Sequence, residues 1–417
     1  MNTPVIVVHY HELWLKGRNR RFFLGKLLTA LRLSLGGIAV ERIEQPGDRI
    51  LVRLAAGARL DEAIRRIERV LGVANYAVAR PVERDMEALC RSAWEEVEPL
   101  KFATFAVRAK RSDKSFPHGS IAIETVVGRH LLDQLRAHGR DVRVQLKDPD
   151  VTCHIEVTPG PLLVYAKKIP GAGGLPANTA GRMMCLLSGG YDSAVAAYLM
   201  MKRGAHLSFV HFYGTGARPG ESSLHVAHGL VRQLTPCQFR AKLYRVPFEE
   251  IQREIVRYAP ENSRVLLYRR MMLRISETFA RRDRAIALVN GDSLGQVASQ
   301  TLRNLVAVEA AATMPVFRPL VGMDKMEILA LARKIGTYQI SSEPFHDCCP
   351  VFLPRSPELS ATPEDLAKAE AGLDIERLVA QRVRGATLER FSFEGGRVEA
   401  TEPTPVGPAS QHRTAIA

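Results

Sequence analysis

The sequence predicts an α/β fold in which a parallel-sheet domain follows smaller α+β domains. Two patterns carry this. Beyond residue 181, short apolar runs (MMCLLS, LSFVHFY, KLYRVPF, AIALVNG) alternate with helical stretches, as strands buried on both faces do. Before residue 170, half-buried strands such as FATFAVRAK interleave with amphipathic helices. Between them IPGAGGLPANTAG, 169–181, is a Gly/Pro-rich linker.

The elements follow in order. PVIVVHY reads as a strand and Asn19–Leu33 as an amphipathic helix; RILVRLA is a strand and LDEAIRRIERVLGV a helix. Met86–Val97 is a helix and FATFAVRAK a strand. SIAIETVVGRHLLDQLRAHG is a helix stopped at Gly139, which suits a left-handed cap. VTCHIEVTPGPLLVYAKKI is a hairpin turning at Pro159–Gly160. MMCLLS is a strand and Asp192–Lys202 the helix after it. Beyond Pro357–Pro363 the pattern weakens, and EGGRVEATEPTPVGPASQHRTAIA is expected to be disordered. The boundaries are 1–58, 59–168, the linker 169–181, 182–356 and a C-terminal extension 357–417.

Composition narrows the function. A chain of 417 residues suggests roughly three domains of about 100–200 residues. Its apolar runs fall short of the ~20 residues needed to span a bilayer. The N-terminus lacks the pattern of a secretory leader, so a cytoplasmic protein without membrane attachment is expected. Six cysteines over this length do not make a disulfide framework. The net charge of +14 calls for an anionic partner. Basic residues cluster in the first half (LKGRNRRFFLGK, FAVRAKRSDKSFPHG), which favours a nucleic acid over a merely solvated surface.

One stretch carries chemistry. In CLLSGGYDSAVAAYLM the apolar run stops at Ser188-Gly189-Gly190 and resumes with helical period. Glycines let backbone approach an anion, and N–H groups at a helix start favour negative charge. Ser188 and Ser193 add hydroxyls. The turn is not a Walker A loop, since it has no lysine and lacks that spacing, and it is not GxGxxG. Asp192 makes sense inside a phosphate turn if it meets a divalent metal. The turn is shaped to hold pyrophosphate.

SGGYDS matches the SGGxDS signature of the PP-loop ATP pyrophosphatases, which adenylate a substrate. NGDSLGQVASQTLRNL, FRPLVGMDKMEILALARKIGTYQIS, EPFHDCCPVFLP, GGLP and ELWLKGRNRRFF resemble tRNA 4-thiouridine synthetases of the short type without a rhodanese domain. That resemblance implies a ferredoxin-like domain (1–58), a THUMP tRNA-binding domain (59–168) and a PP-loop, adenine nucleotide α-hydrolase-like, domain (182–356). FAVRAKRSDKSFPHGS is similar to the THUMP sequence, so Arg108, Lys110, Arg111 and Lys114 would meet tRNA phosphates; their alternative is a solvated surface.

By the same resemblance Leu186, Leu187, His211, Phe212, Arg269, Gly291 and Gln300 match ATP-contact positions. They join Ser188, Gly189, Gly190 and Ser193 of the turn. For most of them core packing is the alternative. Lys325 matches a catalytic lysine, and Asp192 would serve Mg²⁺ beside ATP. Cys348 aligns with a cysteine that carries a persulfide delivered by a cysteine desulfurase. Resolution would use another internal thiol, a Cys348–Cys349 bond or an outside reductant. An iron–sulfur cluster needs three or four thiolates, and only this pair with a distant Cys185 or Cys237 is on offer.

The implied activity is ATP-dependent thiolation of tRNA uridine, with a link to sulfur for the thiazole of thiamine. A homodimer is compatible with it. The alternatives are a PP-loop ligase using a nitrogen nucleophile and a non-catalytic tRNA-binding protein. Asp292 replaces a common glutamate, and Ala194 a proline. His9 and His11 read as a polar strand end rather than a zinc pair. His225 and His228 share a helix face without a nearby carboxylate cluster, as an ordinary helix would.

Overall fold

Backbone pairing divides the chain into two units, Met1–Pro176 and Ala177–Ala417. The computed structural model describes residues 4–214, 223–344 and 356–407. Cys348 and Cys349 lie outside the described residues.

In the first unit the strands are β1 (Val5–His9), β2 (Val40–Glu44), β3 (Arg49–Leu54), β4 (Asn75–Val82), β5 (Thr104–Arg111), β6 (Arg143–Val144), β7 (Val151–Val157), β8 (Leu162–Tyr165) and β9 (Ile169–Pro170). The helices are α1 (Arg20–Ser34), α2 (Leu60–Glu68), α3 (Met86–Val97) and α4 (Ser120–Ala137). The sheet runs β2-β3-β1-β4-β8-β7-β5-β6, with β9 also on β4. β4 joins its halves, pairing β1 through Asn75–Ala79 and β8 through Arg80–Val82. α3 and α4 bury Leu89, Ala93, Val97, Ile123, Val127 and Leu131 against Phe105, Val107 and Ile155 of the sheet. The 3–4 spacing of those helical residues makes the apolar stripe that a sheet face requires. Gly139 follows α4 at φ +71°, the left-handed stop that glycine permits.

In the second unit the strands are β10 (Arg182–Leu186), β11 (His206–Tyr213), β12 (Arg240–Pro247), β13 (Leu288–Val289), β14 (Val316–Phe317), β15 (Thr387–Glu394), β16 (Arg397–Ala400) and β17 (Thr404–Pro405). The helices are α5 (Tyr191–Lys202), α6 (Ser223–Leu234), α7 (Glu249–Tyr258), α8 (Arg264–Arg282), α9 (Leu302–Glu309), α10 (Lys325–Lys334), α11 (Tyr338–Ser341), α12 (Pro363–Ala369) and α13 (Ile375–Arg384). Strand order is β14-β13-β10-β11-β12-β15-β16. The first five strands are mutually parallel. Chain order reverses between β10 and β13, the switch point where open α/β sheets bind ligands beyond their strand ends. The core behind it joins Met184, Val210, Tyr244 and Leu288 of the sheet to Met271, Ile275 and Phe279 of α8.

The C-terminal stretch differs from the expectation. Up to Gly407 the segment read as disordered carries β16 and β17, both paired with β15; β15, nearly all of it before that segment, pairs antiparallel with β12. Gly395 and Gly396, at φ +57° and +86°, make the left-handed turn between β15 and β16. Glu370, on the connection after α12, meets Arg270 and Arg274 of α8 at 2.7 Å each, tying the extension to the core. Burial would raise the Glu370 pKa, but the hydrogen bonds from Arg274 and Arg270 outweigh it and hold the group low. Among the described residues no helix is long and apolar enough to cross a membrane.

Candidate active site

The turn between β10 and α5 is built around Ser193. Its Oγ accepts the Ser188 N–H at 3.1 Å, lies 3.1 Å from Ser188 Oγ and donates to Gly190 O at 3.2 Å. Ser188 Oγ accepts the Gly190 N–H at 3.2 Å. The two serines read as phosphate donors therefore also shape the turn. Gly190 enters α5 in an extended conformation, and among the described residues no side chain caps the helix. The orphan N–H groups of its first turn are the anion-binding end of a helix.

A cavity of about 490 Å³ opens beside this turn, within the usual range for small-molecule sites. Leu186, Leu187, Ser188, Asp192 and Ser193 line one part of it and Phe212 another. Val265, Tyr268, Arg269 and Met272 come from α8; Asn290, Gly291, Asp292, Val297, Ser299 and Gln300 follow β13. Apolar and aromatic side chains thus share the lining with turn hydroxyls, an arginine and two carboxylates, as a base with attached phosphates requires. Of the expected ATP-contact residues, Gly189, Gly190 and His211 do not line it.

His211 is buried behind the turn. Its Nδ1 donates to Leu187 O at 2.7 Å, which leaves Nε2 as acceptor for the Ser223 hydroxyl at 2.8 Å. It braces the strand end. Gly291 has a steric cause: a Cβ there would lie 2.7 Å from the Ser193 N and 2.8 Å from the Asp192 carbonyl carbon. Only glycine lets the β13 loop pass this close to α5 without displacing backbone.

Asp292, which the sequence marks only as the replacement of a common glutamate, is the hub of the site. Its Oδ1 accepts from Arg269 Nη2 at 2.5 Å and Gln300 Nε2 at 3.2 Å. Its Oδ2 accepts from Asn290 Nδ2 at 3.0 Å and Arg318 Nε at 3.2 Å. Arg269 Nη1 also donates to Ser299 O and Oγ, both at 3.1 Å. The sequence signal was an acidic residue one position after Gly291, but its partners come from distant elements.

At the cavity edge Asp192 Oδ1 accepts from Lys325 Nζ and Oδ2 from Gln296 Nε2, both at 2.8 Å. Lys325 begins α10, whose Asp324–Glu327 capping box fixes the helix start. Cys185 is buried under the turn, where burial pushes its thiol up to about 12, so it supplies no thiolate.

In the first unit Arg108 Nη2 donates to Leu146 O at 2.6 Å, and Lys110 pairs with Asp48. Arg111 is committed inward: Nη2 donates to Lys114 O and Phe116 O, both at 2.9 Å. It builds the loop that presents the exposed Lys114. Two further readings change. His225 and His228 do meet carboxylates, Glu343 at 3.3 Å and Glu389 at 2.7 Å, because the fold brings distant segments to α6. His11 lies beyond the end of β1, so it shares no strand face with His9. His9 instead faces Glu156 at 3.4 Å, and burial with Lys168 nearby lowers it to about 4.

A glycine turn at the switch point of a parallel sheet, opening on a nucleotide-sized cavity, defines a PP-loop-type ATP-binding enzyme. Comparison with known proteins makes this particular. The family described as Thiamine biosynthesis protein (ThiI) matches residues 178–375, the ThiI ferredoxin-like domain 5–77 and the THUMP domain 82–166. A probable tRNA sulfurtransferase of Thermus thermophilus is 42% identical over 395 residues, 95% of this chain and 96% of that protein. One of Geobacillus kaustophilus is 39% identical over 399 residues, 95% of this chain and 98% of that protein. A crystal structure of a 4-thiouridine synthetase–RNA complex with bound ATP superposes with a TM-score of 0.81 at 30% identity, covering 93% of this chain and 99% of that one. The chain belongs to the tRNA sulfurtransferase (ThiI) family.

Proposed function

We propose that the protein is an ATP-dependent tRNA sulfurtransferase that converts a tRNA uridine to 4-thiouridine. The observation that carries this is the meeting of the Ser188–Ser193 turn with Arg269, Gly291, Asp292 and Gln300 around one cavity, in a chain of this family.

Replacing O4 of uridine by sulfur needs that oxygen to leave, and oxide does not leave unaided. Attack of O4 on the α-phosphorus of ATP breaks the α–β bond, releases pyrophosphate and turns the oxygen into part of AMP, a competent leaving group. The turn and the start of α5 would receive the pyrophosphate charge, with Arg269 held toward the phosphates by Asp292. Lys325, paired with Asp192, is placed to neutralise charge at the same end. Asp192 fits a role in holding Mg²⁺: it is a partly exposed carboxylate beside the turn, and Mg²⁺ is usually held by one or two carboxylates plus substrate phosphates. When bound, the metal would neutralise pyrophosphate charge.

The sulfur would arrive on Cys348 as a persulfide supplied by a cysteine desulfurase. Its terminal sulfur attacks C4, AMP departs with the former O4, and cleavage of the S–S bond by a thiol or reductant leaves 4-thiouridine. Supporting this, the described residues flanking Cys348 are fastened near the cavity: Ser342 to Tyr191 at 2.9 Å, and Leu359 O to Thr301 Oγ1 at 2.8 Å. The buried, weakly acidic Cys185 is a poor resolving thiol, which leaves the partly buried Cys237, Cys349 or an outside reductant. The first unit would bind the tRNA through its basic surface, and both substrates belong to the cytoplasm.

Nucleoside mass analysis of tRNA from cells with and without the protein tests the reading, together with pyrophosphate release on adding ATP and unmodified tRNA. The expected result is protein-dependent 4-thiouridine, lost in Cys348→Ser. No pyrophosphate release would overturn the enzymatic reading, and full activity of Cys348→Ser would favour a nitrogen-using ligase. The thiamine link rests on the family description, and a deletion strain that grows without thiamine would remove it.

A further inference from the structure

We infer that Tyr191, the variable residue of the SGGYDS turn, is a positioning residue that couples ATP cleavage to sulfur delivery. The inference rests on the sulfurtransferase reading and adds to it a residue that the ATP site itself does not need.

Tyr191 starts α5 next to Asp192, yet it is not among the residues lining the cavity. Its ring stacks on Tyr338 of α11, with centroids 5.2 Å apart and planes at 25°. Its phenol oxygen lies 2.9 Å from Ser342 Oγ, which also hydrogen-bonds Tyr338 O at 2.8 Å. Lys325 Nζ sits 5.5 Å from the same ring while holding Asp192 at 2.8 Å. One aromatic side chain therefore touches the lysine of the pyrophosphate end and the segment that leads to Cys348.

α11 has four residues, too few to hold a helix by itself. Its place depends on what it packs against: Tyr191, α6, and α10, whose Arg333 lies 4.5 Å from the centre of the Tyr338 ring. Glu343 adds an ion pair with His225 of α6 at 3.3 Å. Ser342 stands six residues before Cys348, so of the two last described anchors on that side one, Ser342, is fastened to the ATP turn and the other, Glu343, to α6. Without the clamp, sulfur arrives less often at an activated uridine. Such a uridine reacts with water instead, returning uridine and AMP. The signature is pyrophosphate released without thiolation.

The experiment measures 4-thiouridine formed per pyrophosphate released, with full-length protein, unmodified tRNA, ATP and a persulfide-supplying desulfurase. Tyr191→Ala should lower this ratio about tenfold, a loss of coupling that a general weakening of the fold would not produce. Tyr191→Phe keeps the stack, and Ser342→Ala keeps the phenol. Each should lower the ratio about threefold, the size of one neutral hydrogen bond, and the double variant no further than Ser342→Ala, which removes that contact together with the Ser342–Tyr338 bond. If Tyr191→Ala proves unstable, the two milder variants decide. A wild-type ratio in Tyr191→Phe and Ser342→Ala overturns the hydroxyl clamp, and a wild-type ratio in a folded Tyr191→Ala overturns the inference entirely. A wild-type protein that makes neither product would overturn the proposed function instead.

Discussion

The Asp292 carboxylate holds Arg269 at 2.5 Å, and the pair is nearly buried, with 5% and 15% of the side chains exposed. Arg318 approaches the other carboxylate oxygen at 3.2 Å. Asp292 therefore balances Arg269 and shares Arg318 with Glu309, and the direction of Arg269 depends on it.

Asp292→Asn should remove that balance and release Arg269. Breaking a buried pair costs about 3–5 kcal/mol, so the melting midpoint should fall. ATP affinity should also weaken, by about tenfold or more, because the guanidinium is no longer held toward the phosphates. Asp292→Glu should recover most of both. ATP titration and thermal melting of the two variants check this, and unchanged ATP affinity in Asp292→Asn would show that Arg269 holds its place without the acid.

Lys325 and Asp192 make the opposite case. Their 2.8 Å pair is partly solvated, with 45% of the lysine side chain exposed. Exposed pairs contribute at most about 1 kcal/mol, so Lys325→Gln should melt near the wild-type midpoint. Pyrophosphate release should nevertheless slow about a hundredfold, the scale of losing one charge-stabilising donor. A large drop in stability with little change in rate would assign the lysine to structure.

The contrast between these residues explains what was legible in the sequence. The glycine turn, the strand before it and the helix after it are consecutive, so period and glycine placement exposed them together. Asp192 and Lys325 stand 133 positions apart and Asp292 and Arg318 stand 26 apart, so the sheet and α10 alone reveal their pairing. β15 carries no strand assignment from the sequence because its partner β12 precedes it by over a hundred residues, and the polar Pro/Gly-rich composition after it resembles a tail. β14 is two residues long, too short for any period to register, whereas β13, equally short, lies inside the apolar run AIALVNG that marks a buried strand. The structural bonds of Arg111 were hidden for a related reason: its charge suggested a phosphate contact, and nothing in the sequence marked the loop carbonyls of Lys114 and Phe116 as its acceptors.

Stability should fall on mild acidification. Burial, with Arg182 and Lys242 adding repulsion that Asp283 partly offsets, lowers His206 from 6.5 to about 4. Between those values the unfolded chain binds a proton that the folded chain refuses. The unfolded state therefore gains stability as pH drops through that window. The melting midpoint of the wild type should decline from pH 6.5 toward 4, and His206→Gln should decline less steeply. Equal slopes would mean that this histidine takes its proton in the folded state at its ordinary pKa.

Lys114 and Arg111 are three residues apart but should respond differently. Lys114 is exposed at the tip of a loop that Arg111 holds through two 2.9 Å bonds to the carbonyls of Lys114 and Phe116. If Lys114 meets a tRNA phosphate, Lys114→Ala should weaken tRNA binding without lowering the melting midpoint. It should also reduce the slope of log affinity against log salt by about 0.7–0.9, as one lost phosphate contact does. Arg111→Ala should weaken binding and lower the midpoint together, because the loop carbonyls lose their donor and the buried Phe116 loses its tether. Binding titrations at several salt concentrations, paired with melting curves, separate the two roles. An unchanged salt slope in Lys114→Ala would move the phosphate contact elsewhere on the basic surface.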